Sequence, residues 1–484
     1  MASSRNLRLT DLPDRVAALL APLLPAHRSI LIGLSGGVDS VVLLHLLHRL
    51  APRFSWQLSA LHVHHGISPN ADAWAKFCAE LCARCNIPLH IEYVDITPLR
   101  RHGTEAAARK LRLAAFAAQP CDVVALAHHA DDQAETLLLQ LLRGAGIKGA
   151  AAMPVLSPSK WPVLSPSQRP SPDQRAGSPR FLRPLLHCSR QEILDYAALH
   201  QLQWIEDESN ADENYPRNFL RGRVLPLLTE KFPAYRHTLT RSAQHFAEAS
   251  DLLDELAKLD AQHSILPTAE KSETGRDATL EISALRNLTL PRAKNLLRYF
   301  FQLRGVTMPQ AAQLDDMLRQ LCGARADAAV CISVGHAESS DWSDCNNFQV
   351  RRYQGKVYVL RAPGEFKRNF VLPWHGEAEL DWPALNVRLG FQHRTSAGVS
   401  LAKLQQAPVT LRLRSGGATL RPQPNAATRT LKNLLQEHHT PPWQRDRLPL
   451  LYCGDDLVCV PGVAIAAEYQ AAEGETGVSV SIIG

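Results

Sequence analysis

Ser35, Gly36, Gly37, Val38, Asp39 and Ser40 stand between an apolar run and an amphipathic one. The two glycines lack Cβ atoms, so backbone N–H groups there can approach phosphate oxygens closely. A helix opening near Val38 adds unpaired N–H groups and the positive end of its dipole. Ser35 and Ser40 add hydroxyl donors. Asp39 is repelled by phosphates unless a Mg²⁺ ion lies between them. A glycine turn that merely caps a helix is the bland alternative, and the strand-to-helix setting of the full hexapeptide argues for phosphate. No lysine follows as in a Walker loop, which argues against a kinase or motor ATPase.

Two further clusters carry acid–base or metal chemistry. His62, His64 and His65 precede Gly66, and His128 and His129 precede Asp131, Asp132 and Glu135. Asp132 is the natural second metal ligand beside Asp39, whereas Asp131 reads as a helix cap. A His/Asp metal centre of a hydrolase is the competing reading, but it leaves the phosphate loop unused. Glu105, Arg109 and Arg112 fall on one helical face, as a surface ion pair or as contacts to a base or phosphate. Cys78, Cys82 and Cys85 have a spacing also used for iron–sulfur clusters. With Trp74, Phe77 and Leu81 they also repeat at helical spacing, which favours thiols packed in a helix core.

These residues need a scaffold that brings strand ends together. Apolar runs at 29–34, 58–63, 88–94 and 122–127 predict strands. Amphipathic runs at 38–50, 71–85, about 104–118 and 131–142 predict helices between and after them. Such alternation predicts an α/β, doubly wound parallel sheet with its site at the carboxyl ends of the strands. Residues 155–180, with a repeated Pro-Val-Leu-Ser-Pro-Ser, read as an insertion. Region 217–321 reads as largely helical, 350–360 as a strand, and 409–468 as a compact basic unit. The expected domains are 1–222, a mainly helical 223–360, and a small mixed α/β domain over 361–484.

With 484 residues the chain is too long for one core, and 45% hydrophobic with 21% charged residues suits a soluble globular protein. Residues 1–9 lack the apolar stretch of a secretory signal and no run is long enough to span a bilayer, so a cytoplasmic protein with reduced thiols is expected. The net charge of +6 permits nucleic-acid binding without requiring it. Arg412, Arg414, Arg421, Arg429, Lys432, Arg445 and Arg447 are concentrated near the C-terminus with Trp443 among them, which suits RNA phosphates and splayed bases. Arg217, Arg221 and Arg223 extend that track or, for Arg217 and Asn218, form a structural joint.

The hexapeptide resembles the PP-loop of the N-type ATP pyrophosphatases. The stretches 62–66, 103–109, 127–136, 142–146, 207–210 and 215–221 resemble those of tRNA(Ile)-lysidine synthetases in particular. So do 292–305, 351–353, 414–417, 432–435 and 441–450, so the resemblance runs over nearly the whole chain. Leu113 stands where that family usually has an aromatic residue. The resemblance implies that ATP adenylates the wobble cytidine of a CAU-anticodon isoleucine tRNA at its C2 oxygen. L-lysine then displaces AMP to give lysidine, which changes the codon read from AUG to AUA. It implies Mg²⁺ on Asp39 and Asp132, a proton acceptor in Asp132 or Glu135, and a catalytic role for Arg109. Contacts to nucleotide or tRNA are expected from His65, Glu105, Arg109, Arg112, His129 and Arg143. Arg217, Asn218, Arg221, Arg414, Lys432, Arg445 and Arg447 complete the expected RNA contacts, with no DNA or membrane partner. A thiolase of the same superfamily is the alternative, and an RNA-binding protein with a relic loop is a third reading.

Overall fold

The run before the hexapeptide forms strand β1 (Ser29–Gly33), in which Ile30, Leu31 and Ile32 are all buried. A strand covered on both faces needs no polar alternation, and each such side chain contributes roughly 1.5–3 kcal/mol by leaving water. In this computed structural model, two compact units divide the chain after residue 256. The structure describes all residues except 1–11, 99–103, 158–178, 207–215, 268–277, 307, 326–327, 329, 335–347, 362–369, 386, 415–416 and 484. Most of the Pro/Ser insertion and the Asp207 to Asn210 stretch therefore lie outside the described residues.

In the first unit, helix α1 (Leu12–Leu20) precedes β1, and α2 (Val38–Phe54) follows it. Then come β2 (Gln57–His64), α3 (Ala71–Arg84), β3 (Leu89–Tyr93), α4 (Thr104–Ala117), β4 (Val123–Ala125) and α5 (Ala130–Leu142). Strand β5 (Arg180–Leu182) and helix α6 (Arg190–Leu199) follow the insertion. The strands pair in parallel in the order β3-β2-β1-β4-β5. The order reverses between β1 and β4, so a crevice opens beyond their carboxyl ends. β5 is three residues long, too short to register as a periodic run beside a Pro/Ser stretch.

Ile30 and Ile32 face a core built with α1, α2, α3 and α6, while Leu31 faces Phe116 and Phe181 on the other side. Cys78 and Cys82 belong to the first core, as their helical spacing predicts. Burial pushes their thiols up to about 12 and about 11. Beyond α6, the helical pieces α7 (Pro216–Phe219), a π-helical turn (Leu220–Val224) and α8 (Leu225–Lys231) lead into α9 (Tyr235–Ala261). No helix among the described residues is long and apolar enough to cross a membrane.

The second unit packs α10 (Ile282–Asn287), α11 (Leu290–Leu303) and α12 (Ala311–Gly323) on an antiparallel five-stranded sheet. The single strand expected over 350–360 is a hairpin, β6 (Phe348–Tyr353) and β7 (Lys356–Arg361). Gln354 and Gly355 turn it with φ of 46° and 73°, the positive pair that a two-residue hairpin turn of this hand demands. The C-terminal part, residues 371–483, folds as two antiparallel sheets, a two-stranded ribbon and short helices such as α13 (Leu431–Glu437).

Candidate active site

The hexapeptide turns from β1 into α2. Gly37 is the N-cap of α2 in extended conformation, without a side-chain cap. The first intrahelical bond runs from Val41 N–H to the Gly37 carbonyl at 3.1 Å, which leaves the N–H groups of Val38, Asp39 and Ser40 without helical partners. Gly36 has φ of 91°, and a Cβ there would meet the Ile205 side chain at 2.8 Å. Ile205 N–H also donates to the Gly36 carbonyl at 2.9 Å, so the chain after α6 braces the loop from outside. Inside it, the Gly36 N–H donates to Ser40 Oγ at 3.2 Å and Ser40 Oγ–H to the Gly37 carbonyl at 2.9 Å. His62, buried at the end of β2, hydrogen-bonds through Nδ1 to the Leu34 carbonyl at 2.9 Å and so locks the loop's entry.

The second cluster starts at the end of β4. His129 is the N-cap of α5, and its N–H donates to Asp132 Oδ2 at 3.0 Å. The capping role expected of Asp131 therefore belongs to Asp132, because the third helical position is the one that reaches back to the N-cap. Asp131 turns the other way, accepting from Arg190 N–H at 3.0 Å and pairing with Arg236. Burial opposes its charge, but His129, Arg190 N–H and Arg236 outweigh that and hold its carboxyl well below the usual range.

The His129 ring, only 2% exposed, sits among three carboxylates. Its Nε2 lies 3.7 Å from Asp39 Oδ1 and 3.5 Å from Asp132 Oδ2, and its Nδ1 lies 3.7 Å from Asp131 Oδ2. Burial alone lowers its proton affinity, yet the carboxylates reverse the sign and raise it. Asp39 is the most exposed of the three carboxylates, and its Oδ1 has no hydrogen-bond partner among the described residues. Burial raises its carboxyl pKa, against the pull of His129, Arg190 and Arg221. One carboxylate oxygen left open beside a helix N-terminus suits a hard cation that arrives on phosphates, since Mg²⁺ needs one or two protein carboxylates. No group of three metal-ligating side chains exists among the described residues, which leaves the hydrolase-type His/Asp centre without support.

Arg217 and Arg221 complete the cluster from α7 and the π-helical turn. Glu135, 1% exposed, accepts from Arg217 Nε at 2.7 Å and from Arg221 Nε at 2.8 Å. Arg217 Nη2 reaches Asp132 Oδ1 at 3.1 Å and Arg221 Nη2 reaches it at 3.5 Å. Arg217, read from sequence as part of an RNA track or as a structural joint, and Arg221, read as part of that track, thus form a two-arginine clamp on Asp132 and Glu135. Arg190, Arg236 and Ile205, which sequence reasoning missed, enter through backbone N–H groups or long-range pairing that no local spacing signals.

The other expected residues are spread along the edge. Exposed Arg109 and Arg112 lie on α4, and Arg112 adds to the burial that pushes His65 down to about 4. His128 is pushed down to about 3, first by burial and then by Arg183, Arg217 and Arg109 against the pull of Asp132. Glu105 lies on α4, with its side chain outside the described residues. Arg143 caps the far end of α5, about 17 Å of helix from Asp132. In the second unit, Arg445 donates to the Thr440 carbonyl at 2.7 Å and to the Tyr353 hydroxyl at 3.3 Å. The ring of Trp443 stands edge-on to Tyr353 and Tyr358, with Arg351 over its face. Arg414 and exposed Lys432 have no partner among the described residues, whereas Arg447 is partly buried.

Three segments of the chain match described protein families. Residues 9–228 match the PP-loop domain, 280–358 the TilS substrate binding domain and 409–482 the TilS substrate C-terminal domain. The chain is 40% identical to a tRNA(Ile)-lysidine synthase of Nitrosomonas europaea, over 99% of this chain and 97% of that one. It is also 40% identical to the enzyme so named in Azoarcus sp. (strain BH72), over 94% and 91% of the two chains. Its identity to that of Coxiella burnetii is 35%, over 97% and 96%.

Proposed function

The chain belongs to the tRNA(Ile)-lysidine synthase family, and on that footing we propose that it joins free lysine to C2 of the wobble cytidine in a CAU anticodon. It is an ATP-using ligase that modifies tRNA(Ile). The observation that carries the finer reading is the Asp39 carboxylate oxygen that lacks a hydrogen-bond partner among the described residues, next to the α2 N–H groups that lack helical partners.

A carbonyl oxygen leaves poorly until it is esterified. In the first step the cytidine C2 oxygen attacks the α-phosphorus of ATP, the bond to the bridging oxygen breaks, and pyrophosphate departs. The N–H groups of Val38, Asp39 and Ser40, with the hydroxyl of Ser35, hold the departing phosphates where charge builds up, and the Ser40 hydroxyl braces the loop through the Gly37 carbonyl. Asp39 and Asp132 would hold Mg²⁺, which would supply positive charge to offset that of the departing pyrophosphate. In the second step the neutral lysine amine attacks C2, the C2–O bond breaks, AMP departs, and the amine proton is released.

Arg217 and Arg221 keep Asp132 and Glu135 ionised and in place. Both oxygens of Glu135 are engaged by guanidinium donors, so it is a positioning residue in this scheme and a poor proton acceptor. Arg109, Arg112 and His65 are assigned to the nucleotide or the anticodon. Arg143, Arg414 and Lys432 are assigned to tRNA phosphates.

The test uses purified protein with ATP, Mg²⁺, labelled lysine and tRNA(Ile). Lysine-dependent label in RNA with equimolar pyrophosphate is expected, and its absence overturns the reading. An iron–sulfur absorption band on the protein would favour the thiolase alternative instead.

A further inference from the structure

Arg183 stands one residue beyond β5, at the carboxyl edge of the sheet. Its backbone is fixed on both sides. Arg183 N–H donates to the Val155 carbonyl at 2.7 Å, and Leu126 N–H from the neighbouring strand donates to the Leu182 carbonyl at 2.8 Å. A guanidinium carries five N–H donors. Here Nη1 donates to the Pro154 carbonyl at 2.9 Å, while Nε is buried without a partner. No carboxylate pairs with it among the described residues. Arg217, Arg221 and Arg236, by contrast, are each matched to a carboxylate. Burial pushes the Arg183 guanidinium down to about 10, and Arg109 adds repulsion. His128, at the end of the adjacent strand, lies in the same positive field, and its buried Nδ1 also lacks a partner.

A half-buried cation with no counter-charge among the described residues is unfavourable unless an anion arrives to complete it. We propose that Arg183 is the anchor for the α-carboxylate of the free amino-acid substrate, with Arg109 and His128 sharing its field. This rests on the lysine-transfer reading above. Two arguments favour a substrate carboxylate over a phosphate. Arg183 lies two strands from the phosphate loop along β1-β4-β5, about 10 Å at the usual strand spacing, so the triphosphate is held elsewhere. A half-buried guanidinium tied to the Pro154 carbonyl also suits a small free ligand better than an RNA backbone lying on the surface. The four-carbon stem of lysine, anchored at β5, then carries the amine back toward the crevice between β4 and β1.

The experiment compares lysine with 1,5-diaminopentane, which is lysine without its carboxylate, in full-length wild-type protein and in Arg183→Met and Arg183→Lys. With tRNA(Ile), ATP and Mg²⁺ present, wild type is expected to show a KM about 10- to 100-fold higher for the diamine than for lysine. In Arg183→Met the KM for lysine should rise to that of the diamine, with the KM values for diamine, ATP and tRNA unchanged. Arg183→Lys should recover part of the preference. A wild-type enzyme that does not discriminate overturns the anchor without any variant. A rise confined to the KM of ATP or of tRNA moves the oxyanion to a phosphate of that substrate and also overturns it. An equal loss with both amines and a lowered Tm assigns Arg183 to structure alone. If wild type labels no RNA with lysine at all, it is the lysine-transfer reading that falls; if wild type labels and Arg183→Met is unaffected, only the anchor falls.

Discussion

Arg217 and Glu135 are 82 residues apart in the chain, and Arg221 and Glu135 are 86 apart, yet they form one clamp at the sheet edge. Near the C-terminus, Arg429 pairs with Glu437 only eight residues on. Arg421 pairs with Glu468, and Arg412 lies over Tyr452 and donates to the Gly454 carbonyl at 2.7 Å. Both regions look alike as sequence, since each is a run of arginines that suits RNA. In the first, the guanidiniums are used to hold the carboxylates of Asp132 and Glu135. In the second, most are used to tie β-strands and turns together, and Arg414 and Lys432 are left without a partner among the described residues. A count of basic residues therefore measures the supply of positive charge, and the pairing decides how much of it reaches a ligand.

The sharpest break of this contrast is at Asp39. Asp39→Asn should lower lysine-dependent labelling of RNA by on the order of 100-fold or more with little change in Tm, because Asp39 Oδ1 accepts no hydrogen bond from the described residues. A variant with full activity would remove the carboxylate from the mechanism. Next comes the clamp. Glu135→Ala leaves two partly buried guanidiniums facing each other and should destabilise the first unit by about 3 kcal/mol, read from denaturant unfolding. Glu135→Gln should lose less, and equal losses would show that charge is not what the clamp needs.

Asp131 gives a pH test of the same region. Its folded pKa is depressed, so the stability it contributes is present above the unfolded value of about 3.9 and is lost as pH falls through the folded one. The Tm gap between wild type and Asp131→Asn should be widest near neutrality and close below about pH 4. A gap that widens on acidification would contradict the Arg236 pairing.

In the second unit the expected effects are smaller and divide the basic residues in two. Arg414→Ala and Lys432→Ala should each weaken tRNA binding and reduce the salt slope of the affinity by about one. Arg421→Ala and Arg429→Ala, whose ion pairs are exposed, should change stability by no more than about 1 kcal/mol and leave the salt slope as it was. Equal slopes across all four variants would erase the difference between paired and unpaired cations.

Much of the catalytic unit is readable in the chain, and the reason is local. The phosphate loop needs two small residues, a preceding strand and a following helix, all within about a dozen positions, so type and spacing specify the geometry. The same holds for His129 and Asp132, where a three-residue offset at a helix start forces the carboxylate back onto the N-cap N–H. Helical spacing is likewise enough to place Cys78 and Cys82 in a core, because the face they share with Leu81 must turn away from water.

Other assignments depend on partners far along the chain. Asp131 looks like a cap until Arg190 and Arg236 claim its two oxygens. Arg217 looks like an RNA contact until the π-helical turn brings its neighbour Arg221 round to the same glutamate. Trp443 looks like a base-stacking ring until Tyr353 and Tyr358 meet its edges. By itself, then, the sequence determined the parallel α/β sheet, the phosphate loop and the set of carboxylates at the strand ends, because these follow from backbone periodicity and short offsets. Tertiary structure alone decided which arginine is matched, which carboxylate oxygen of Asp39 is left unpaired, and that Arg183 is half-buried without a carboxylate partner among the described residues. Charge pairing depends on distance in space, and a sequence records only distance along the chain.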